Sequence, residues 1–456
     1  MSDQQTGVED TTAPTDSPSV LVVGGGFAGC VAALAAAREQ PAAAVELLVV
    51  ADDRFDAHSG TVDVLGYTGD EPVEVPLDAL GTLPADHPYR QLGRDRLRAA
   101  LSMFDAALDY RGGATERNAL APTHAGRVRP VARYPAGMAA GLVSRDEPMR
   151  LVGFEQTPDL DASFVADRLA AQLPYEVAAN TVTFPGTVTE YPSGPVLAAA
   201  LDEDEAPSGD VGQPDMDLAG AVPPDMDASE AMSPMMGGDD GGPARDPLVE
   251  RVRPLLDTEG RVGFPAVLGL TDHDTVRAEL ADALHADVFE VPLGPPSIPG
   301  RRLERRLHAA LTDAGVTITH DTVTDVETGD GRVRRVSLSG GQRAAESVVL
   351  ATGDLTGPGL TTDRTGIHEP IFGCHVELPD DRSDWTGSTP LSEHPLVRAG
   401  VSVDTDLRPL DSSGRPEYDN LRVAGRLVGG VDYDAEQSAD GVALVTGHAA
   451  GNWSVP

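Results

Sequence analysis

Val20-Leu-Val-Val-Gly24-Gly25-Gly26-Phe-Ala-Gly29-Cys-Val-Ala-Ala-Leu-Ala-Ala-Ala37 is the stretch that decides the fold of this chain. A valine-rich apolar run meets a cluster of glycines and passes at once into an alanine-rich segment. Valine suits a buried strand, glycine permits a tight turn, and alanine favours a helix. Gly24, Gly26 and Gly29 stand in the G-x-G-x-x-G frame, where each spacing has a physical reason. The first glycine allows the sharp turn, the second lets backbone approach a pyrophosphate, and the third lets the helix pack closely on the strand. Free N–H groups and the positive end of the helix dipole then face the phosphate charge. A strand before and a helix after distinguish this segment from an ordinary tight β–α turn, so it is expected to bind a dinucleotide.

The second strand, Val45-Glu-Leu-Leu-Val-Val50, would end in an acid that holds the ribose hydroxyls. Here Ala51 is followed by Asp52 and Asp53. Asp52 takes the ribose role with a one-residue slip; otherwise both are solvated loop acids. The sequence leaves the two readings open.

The chain has 456 residues, enough for two domains or one large domain with a cap. Its formal net charge is −39 and its pI about 4.4, although only 23% of residues are charged. All 34 basic residues are arginine. Acid excess without lysine fits a protein kept soluble in concentrated salt, where a Debye length of about 3 Å at 1 M mutes self-repulsion. The charge argues against nucleic acid as a partner. The missing lysine removes Schiff-base chemistry and Walker-type phosphate binding. The two cysteines, Cys30 and Cys374, exclude a self-contained four-cysteine cluster or zinc site, and Cys30 is expected to be a small core residue. No window of about 18 apolar residues spans a membrane. Residues 1–18 resemble neither a signal peptide nor a twin-arginine leader, so a cytoplasmic chain is expected.

Four regions are expected: a disordered acidic tail at 1–18, the first part of a nucleotide-binding domain at 19–110, a cap or substrate domain at 111–345, and the second nucleotide-binding part at 346–456. Within the cap, 202–246 repeats Pro-Asp-Met-Asp at 214–217 and 224–227 and has low complexity. It is expected to be a disordered insertion whose methionines are incidental. Val262–Leu270 suggests a buried strand and loop, Thr271–Leu284 a helix capped by Thr271 or Asp272, and Ile298–Gly315 another helix. Val316–Asp325 and Arg332–Leu338 suggest a meander leading to Glu346-Ser-Val-Val-Leu-Ala-Thr-Gly353. That strand ending is the second signature of two-dinucleotide-binding flavoproteins. A third follows in Asp419–Gly425, Gly429-Gly430 and the Gly441–Ala450 run, where a helix N-terminus would face the electron-rich edge of a flavin. The expected fold is therefore α/β, a two-dinucleotide-binding Rossmann-like flavoprotein fold with an inserted α+β cap.

Further segments carry a more specific likeness. His58-Ser-Gly-Thr-Val-Asp-Val-Leu-Gly66, His87-Pro-Tyr-Arg-Gln-Leu-Gly93, Pro295-Pro-Ser-Ile-Pro-Gly-Arg-Arg-Leu303, Gly366-Ile-His-Glu-Pro-Ile-Phe-Gly373 and Gly400-Val-Ser-Val-Asp404 resemble the B subunit of anaerobic glycerol-3-phosphate dehydrogenase. The likeness runs from about 19 to 450 and skips 202–246. It implies one flavin-bearing member of a three-subunit complex that oxidises sn-glycerol 3-phosphate to dihydroxyacetone phosphate. It further implies a catalytic A subunit that bears FAD, and an iron–sulfur C subunit that passes electrons to quinone and docks the complex to the inner face of the membrane. The B subunit's own flavin, FMN or FAD, would be non-covalent, and His58, where the family more often has serine, a hydrogen-bonding loop histidine. With the motifs above, the expected cofactor-binding set is Gly24, Gly26, Gly29, Asp52, Ser59, Gly60, Thr352, Gly353, Gly425, Gly430 and Gly441. In the Gln437–Gly441 run the family's late glycines are reduced to one.

Oxidising a secondary alcohol requires a base, a hydride acceptor and a phosphate clamp. Arg301, Arg302, Arg305 and Arg306 stack in pairs along one helix, and Arg302 is the candidate clamp for a substrate or flavin phosphate. The alternative is a solvent face paired with Glu304. His368 and His375 are candidate bases, or else loop histidines held by their own hydrogen bonds. No residue pattern suggests a metal site or a compact nucleophile motif. Two other functions stay open: an assembly protein of the complex that binds nucleotide weakly, and a stand-alone flavin oxidoreductase for another hydroxy acid.

Overall fold

The computed structural model describes residues 18–50, 55–157, 159–185, 193–202, 244–257, 259–379, 381–389 and 394–453. The tail before Pro18, Asp52 and the 203–243 part of the acidic insertion lie outside the described residues. The chain divides into two compact units: Met1–Asp52, Leu311–Val431 and Ala443–Pro456 form one, and Asp53–Ala310 with Asp432–Val442 the other.

In the first unit the strand Val20–Val23 is the centre of a five-stranded sheet. Val45–Val49 and then Thr317–His320 lie on one side, Ser347–Leu350 and then Leu421–Val423 on the other, and every pairing is parallel. The three inner strands are buried throughout, which explains their continuous apolar sequence: a parallel sheet covered on both faces has no solvent side to alternate with. The helix Phe27–Glu39 is buried from Phe27 to Ala36, and Cys30 is a core residue as expected. The helix Ala439–Gly451 runs against it. A Cβ at Gly447 would lie 2.5 Å from Ala28 O, and one at Gly451 would overlap Ala32 O. Two glycines four positions apart thus let two helix backbones touch along one face.

The expected meander splits. Thr317–His320 joins the parallel sheet, while Val323–Gly329, Arg332–Leu338 and Gly341–Arg343 form an antiparallel sheet. Asp321 makes the break: its carboxylate accepts from Thr322 N at 2.7 Å, Gly340 N at 2.9 Å and Ser339 N at 3.1 Å, closing the chain on itself.

The second unit is the expected insert, built of helices and sheet. Its main sheet is four-stranded and parallel, in the order Val177–Val182, Met149–Phe154, Arg261–Pro265, Asp287–Val291, and the antiparallel part is limited to short ribbons such as Ala119–Pro122 with Val128–Val131. Alternate residues feed two cores: Val152, Phe154, Val262, Phe264 and Val288 one, Met149, Leu151, Phe289 and Val291 the other. That is the period-2 signature of a sheet covered on both faces. The expected boundaries at 110/111 and 345/346 fall instead at 52/53 and 310/311. Residues 55–110 stay with the insert because they pack within it: a Cβ at Gly300 would overlap Phe55 O, and Tyr110 Oη donates to Gly60 O at 2.8 Å. The helix His273–Leu284 has Asp272 as its N-cap residue, as expected, but the Asp272 side chain makes no cap hydrogen bond. The loop before it is held by Asp202 from a distant helix, which accepts from Leu270 N at 2.8 Å and from Thr271 N and Asp272 N at 2.9 Å.

Candidate functional site

The first unit gathers Gly24, Gly26, Gly29, Thr352, Gly353, Gly425 and Gly430 from the sequence-derived set, and the second holds Ser59, Gly60 and Gly441. In the first unit the site builds from the turn after Val20–Val23. Gly24 has φ +118°, and a side chain there would overlap Ala351 O. A Cβ at Gly29 would overlap Gly24 O, so the helix can begin this close to the strand only with glycine there. Gly26 is different. Among the described residues, nothing lies within 4 Å of the position its Cβ would take. It is the N-cap residue of Phe27–Glu39, supplies no side-chain cap, and precedes a first turn with no acid. The positive helix end thus has no carboxylate in its own first turn, and lies beside space left open by the described residues at the carboxyl edge of a parallel sheet. This is where such sheets bind nucleotides.

Thr352 ends the neighbouring strand beside this turn; a Cβ on Gly24 would lie 3.0 Å from Thr352 N. Thr352 is 4% exposed, and its Oγ1 has no hydrogen-bond partner among the described residues. An orphaned buried hydroxyl costs about 1–3 kcal/mol unless a ligand or water satisfies it. Gly353 follows with φ +88°, Gly430 has φ +83°, and Gly425 has φ +74° with its N–H donated to Thr446 Oγ1 at 2.9 Å. The open Gly26 position, the uncapped helix end and the Thr352 hydroxyl together fit a flavin dinucleotide.

Elsewhere the expectations meet different surroundings. Glu46, the acid within the second strand, accepts from Thr319 Oγ1 at 2.8 Å and Arg343 Nε at 2.7 Å, so it is a structural group. His368 is exposed at the end of the short strand Ile367–His368, its Nε2 lying 2.9 Å from Thr365 Oγ1 and 3.2 Å from Asp363 Oδ1. The Thr365 hydroxyl, with backbone N–H groups and His368, holds the Asp363 carboxyl well below its usual range. His375 is exposed too, and its backbone N–H donates to Glu417 at 3.3 Å. Between them Glu369 caps its own turn, accepting from Ile371 N at 2.7 Å, Phe372 N at 2.8 Å and Cys374 N at 3.2 Å. The His368 ring is thus bonded within its own segment, whereas the bonds described for His375 are those of its backbone N–H.

Arg302 requires a correction. It is 8% exposed, and its guanidinium donates from Nη1 to Glu290 Oε2 at 2.6 Å, from Nη2 to Glu290 Oε1 at 3.1 Å and from Nε to Gly269 O at 2.8 Å. The planar fork that would hold a phosphate already holds a carboxylate. Its helix neighbours are likewise engaged inside the unit: Arg301 with Asp56 at 2.6 Å, Arg305 with Thr271 at 3.0 Å, Arg306 with Asp274 at 3.3 Å.

Ser59 and Gly60 lie in a polar cluster of the second unit. Gly60 N donates to His58 Nδ1 at 3.0 Å, His58 Nε2 lies 3.1 Å from Asp440 Oδ1, and Asp63 N donates to Asp440 Oδ2 at 3.1 Å. Ser59 Oγ bonds Thr61 Oγ1 at 2.7 Å, and Arg129 pairs with Asp63. His58 is thus a hydrogen-bonded loop histidine. Gly441 is a packing glycine: a Cβ there would overlap the Tyr89 hydroxyl and lie 2.6 Å from Val64 Cα. Gly441→Ala is expected to destabilise the chain. Helix propensity favours alanine by about 1 kcal/mol, but overpacking against backbone costs about 1–3 kcal/mol. Urea unfolding in molar KCl checks this; lost flavin with unchanged stability would make Gly441 a flavin contact instead.

The FAD binding domain family matches residues 19–439. The probable B subunit of anaerobic glycerol-3-phosphate dehydrogenase from Halobacterium salinarum is 43% identical over 441 residues, covering 95% of this chain and 96% of the relative. The chain belongs to the family of anaerobic glycerol-3-phosphate dehydrogenase B subunits. The B subunit of the same enzyme from Pectobacterium atrosepticum is 27% identical over 451 residues, 94% of this chain and 96% of that one. Among solved structures, 3-ketosteroid delta1-dehydrogenase from Sterolibacterium denitrificans aligns with TM-score 0.40 and 12% identity over 96% of this chain and 99% of that one, a likeness too low to weigh. Membership makes this chain a flavoprotein with a Rossmann-like FAD-binding fold, in agreement with the cradle at Gly26. Among the described residues, no group of His, Cys, Asp and Glu could hold a metal, and no helix is long and apolar enough to cross a membrane.

Two residues of the B-subunit fold escaped sequence reasoning. Asp354 directly follows Gly353, Arg426 directly follows Gly425, and Arg426 Nε donates to Asp354 Oδ2 at 2.6 Å. An acid after Thr-Gly and an arginine after Ala-Gly are visible in the chain, but only the adjacency of their strands pairs them.

Proposed function

We propose that this chain is the flavin-binding B subunit of a respiratory, anaerobic-type glycerol-3-phosphate dehydrogenase complex. The complex oxidises sn-glycerol 3-phosphate to dihydroxyacetone phosphate. Its A subunit bears FAD, and electrons pass through an iron–sulfur C subunit to quinone. The chain reaches the inner face of the membrane only through its partner. A bound flavin supplies the hydride acceptor for the alcohol carbon, while the hydroxyl proton leaves to a base. This chain's own contribution is to hold that cofactor: the Gly24–Gly29 turn shapes the cradle, the helix end offsets phosphate charge, and Thr352 offers a hydroxyl. The observation that carries the reading is the open, uncapped cradle at Gly26 in a chain whose relatives are named as this subunit.

The test is the visible spectrum of the purified chain in molar KCl, taken anaerobically before and after glycerol 3-phosphate. Flavin bands near one per chain are expected. Bleaching by substrate would put the oxidation on this chain, and bands that bleach only when the A subunit is present would make it an electron relay. A folded, colourless chain would overturn the flavin-binding role in favour of an assembly role.

A further inference from the structure

The hairpin of Thr361–Thr362 with Ile367–His368 is rooted at the sheet edge that carries Thr352 and Gly353. A Cβ at Gly359 would overlap Gly353 O, and Leu360 N donates to Asp354 O at 3.3 Å. The chain enters the hairpin two residues beyond that contact, and Thr361 pairs directly with His368 across it. The turn between the two strands fixes the imidazole. Thr365 Oγ1 donates to Asp363 Oδ1 at 2.6 Å, and the same oxygen accepts from Thr365 N at 2.6 Å and Gly366 N at 3.1 Å. The threonine proton is therefore already given away, and the carboxylate can only accept. His368 Nε2 faces both, at 2.9 Å from Thr365 Oγ1 and 3.2 Å from Asp363 Oδ1, so it carries the ring proton of the neutral imidazole. The acceptor lone pair is left at Nδ1, which no bond engages among the described residues.

The His368 side chain is 47% exposed, which leaves the ring open to a solute. The other charges of this turn point elsewhere. Arg382 donates to Asp363 O and Arg364 O at 3.2 Å, and the Glu369 carboxylate is folded onto its own backbone. An acid that fixes the tautomer of a histidine and steadies the imidazolium it becomes is the usual support of a general base. We propose that His368, positioned by Asp363 and Thr365, is the base that takes the proton of the substrate's secondary hydroxyl at Nδ1. The carbinol carbon gives its hydride to the bound flavin, and the O–H bonding pair becomes the second bond of the new carbonyl. The proton passes to Nδ1 and leaves an imidazolium beside the Asp363 carboxylate. The proposal rests on the functional reading above and deepens it by naming the base.

Two measurements on the full flavin-loaded chain in molar KCl test this. The first is nitrogen-15 resonance of the labelled histidines with the flavin held reduced, so that glycerol 3-phosphate binds without reacting. His368 should appear as one tautomer protonated at Nε2, and glycerol 3-phosphate should move its Nδ1 signal. Asp363→Asn, which should mix the tautomers of this ring alone, assigns it. A mixed tautomer in the wild type, or an Nδ1 signal that saturating glycerol 3-phosphate leaves in place, would overturn the proposal even if no His368 variant folds. The second is anaerobic bleaching of the oxidised flavin by glycerol 3-phosphate. His368→Ala should slow it about 10²–10⁴-fold with flavin content unchanged, and free imidazole should restore part of the rate, which a purely structural ring would not allow. Bleaching as fast as in the wild type would overturn the proposal and leave the flavin reading intact. Flavin that bleaches only with the A subunit present would overturn it by placing the oxidation elsewhere. A wild-type chain without flavin would overturn the functional reading itself, and the base with it.

Discussion

Gly26→Val is expected to give a folded chain that carries no flavin. Gly26 has φ −73° and ψ −177°, extended backbone that valine adopts without strain, and its Cβ would meet none of the described residues within 4 Å. The protein alone therefore tolerates the side chain; replacing glycine where the backbone permits it even stabilises by about 0.4–1 kcal/mol through the unfolded state. The pyrophosphate does not tolerate it, because the isopropyl group fills the space at the helix end where it must sit. Flavin absorbance per chain should fall to background, while the thermal midpoint of the stripped variant matches or exceeds that of the stripped wild type. Full retention of flavin would show that the cradle is not the binding site. Gly29→Val is the contrast: its side chain would overlap Gly24 O, so stability and flavin should be lost together.

Arg302→Ala is expected to cost about 3–5 kcal/mol of stability, because it leaves Glu290 as a buried charge without its partner. Glu290 is 3% exposed, and besides the arginine it accepts from Leu268 N at 2.8 Å and lies 3.6 Å from His273 Nδ1. Burial pushes its carboxyl up, but Arg302 and His273 outweigh that and hold it below its usual value. Burial, against the Glu290 charge, pushes the His273 imidazole down. A depressed carboxyl contributes stability above its unfolded pKa and loses it as pH falls through the folded one. Without Arg302 the sign reverses: burial raises the carboxyl, so the variant's deficit should be largest near neutral pH and shrink as Glu290 takes up a proton. Urea unfolding in molar KCl at neutral and mildly acidic pH measures this. Pairing the change with Glu290→Gln should recover most of the loss. A variant as stable as wild type but with a raised KM for glycerol 3-phosphate would restore Arg302 as a clamp.

The two cases show which kinds of inference a chain supports by itself. The glycine frame was legible because its chemistry is local: turn, close approach and helix start occur within ten consecutive residues, and no distant partner alters what they do. The buried strands were legible for the same reason, since Val20–Val23 and Ser347–Leu350 are apolar throughout and a covered parallel sheet needs nothing else. Arg302 was misread because helix spacing says which residues share a face, not what that face meets. Its partner, Glu290, comes from a strand whose neighbours in sequence gave no sign of a buried acid.

Gly441 belongs with Arg302. Its place in a glycine-marked helix start suggested a flavin contact, whereas its closest approaches are to Tyr89 and Val64, hundreds of residues earlier in the chain. Asp354 and Arg426 are the complementary case, a pair made by neighbouring strands of one sheet from segments with no local tie. By itself, then, the sequence determined the glycine turn, the parallel sheet that presents it, the family, and a strongly negative charge. Only the tertiary structure decided which arginines are committed to buried carboxylates, which glycines serve packing, and where one unit ends. Local backbone preference acts over a few residues, whereas the partner of a buried charge is set by which strands and helices come together, and that is written in no short stretch of chain.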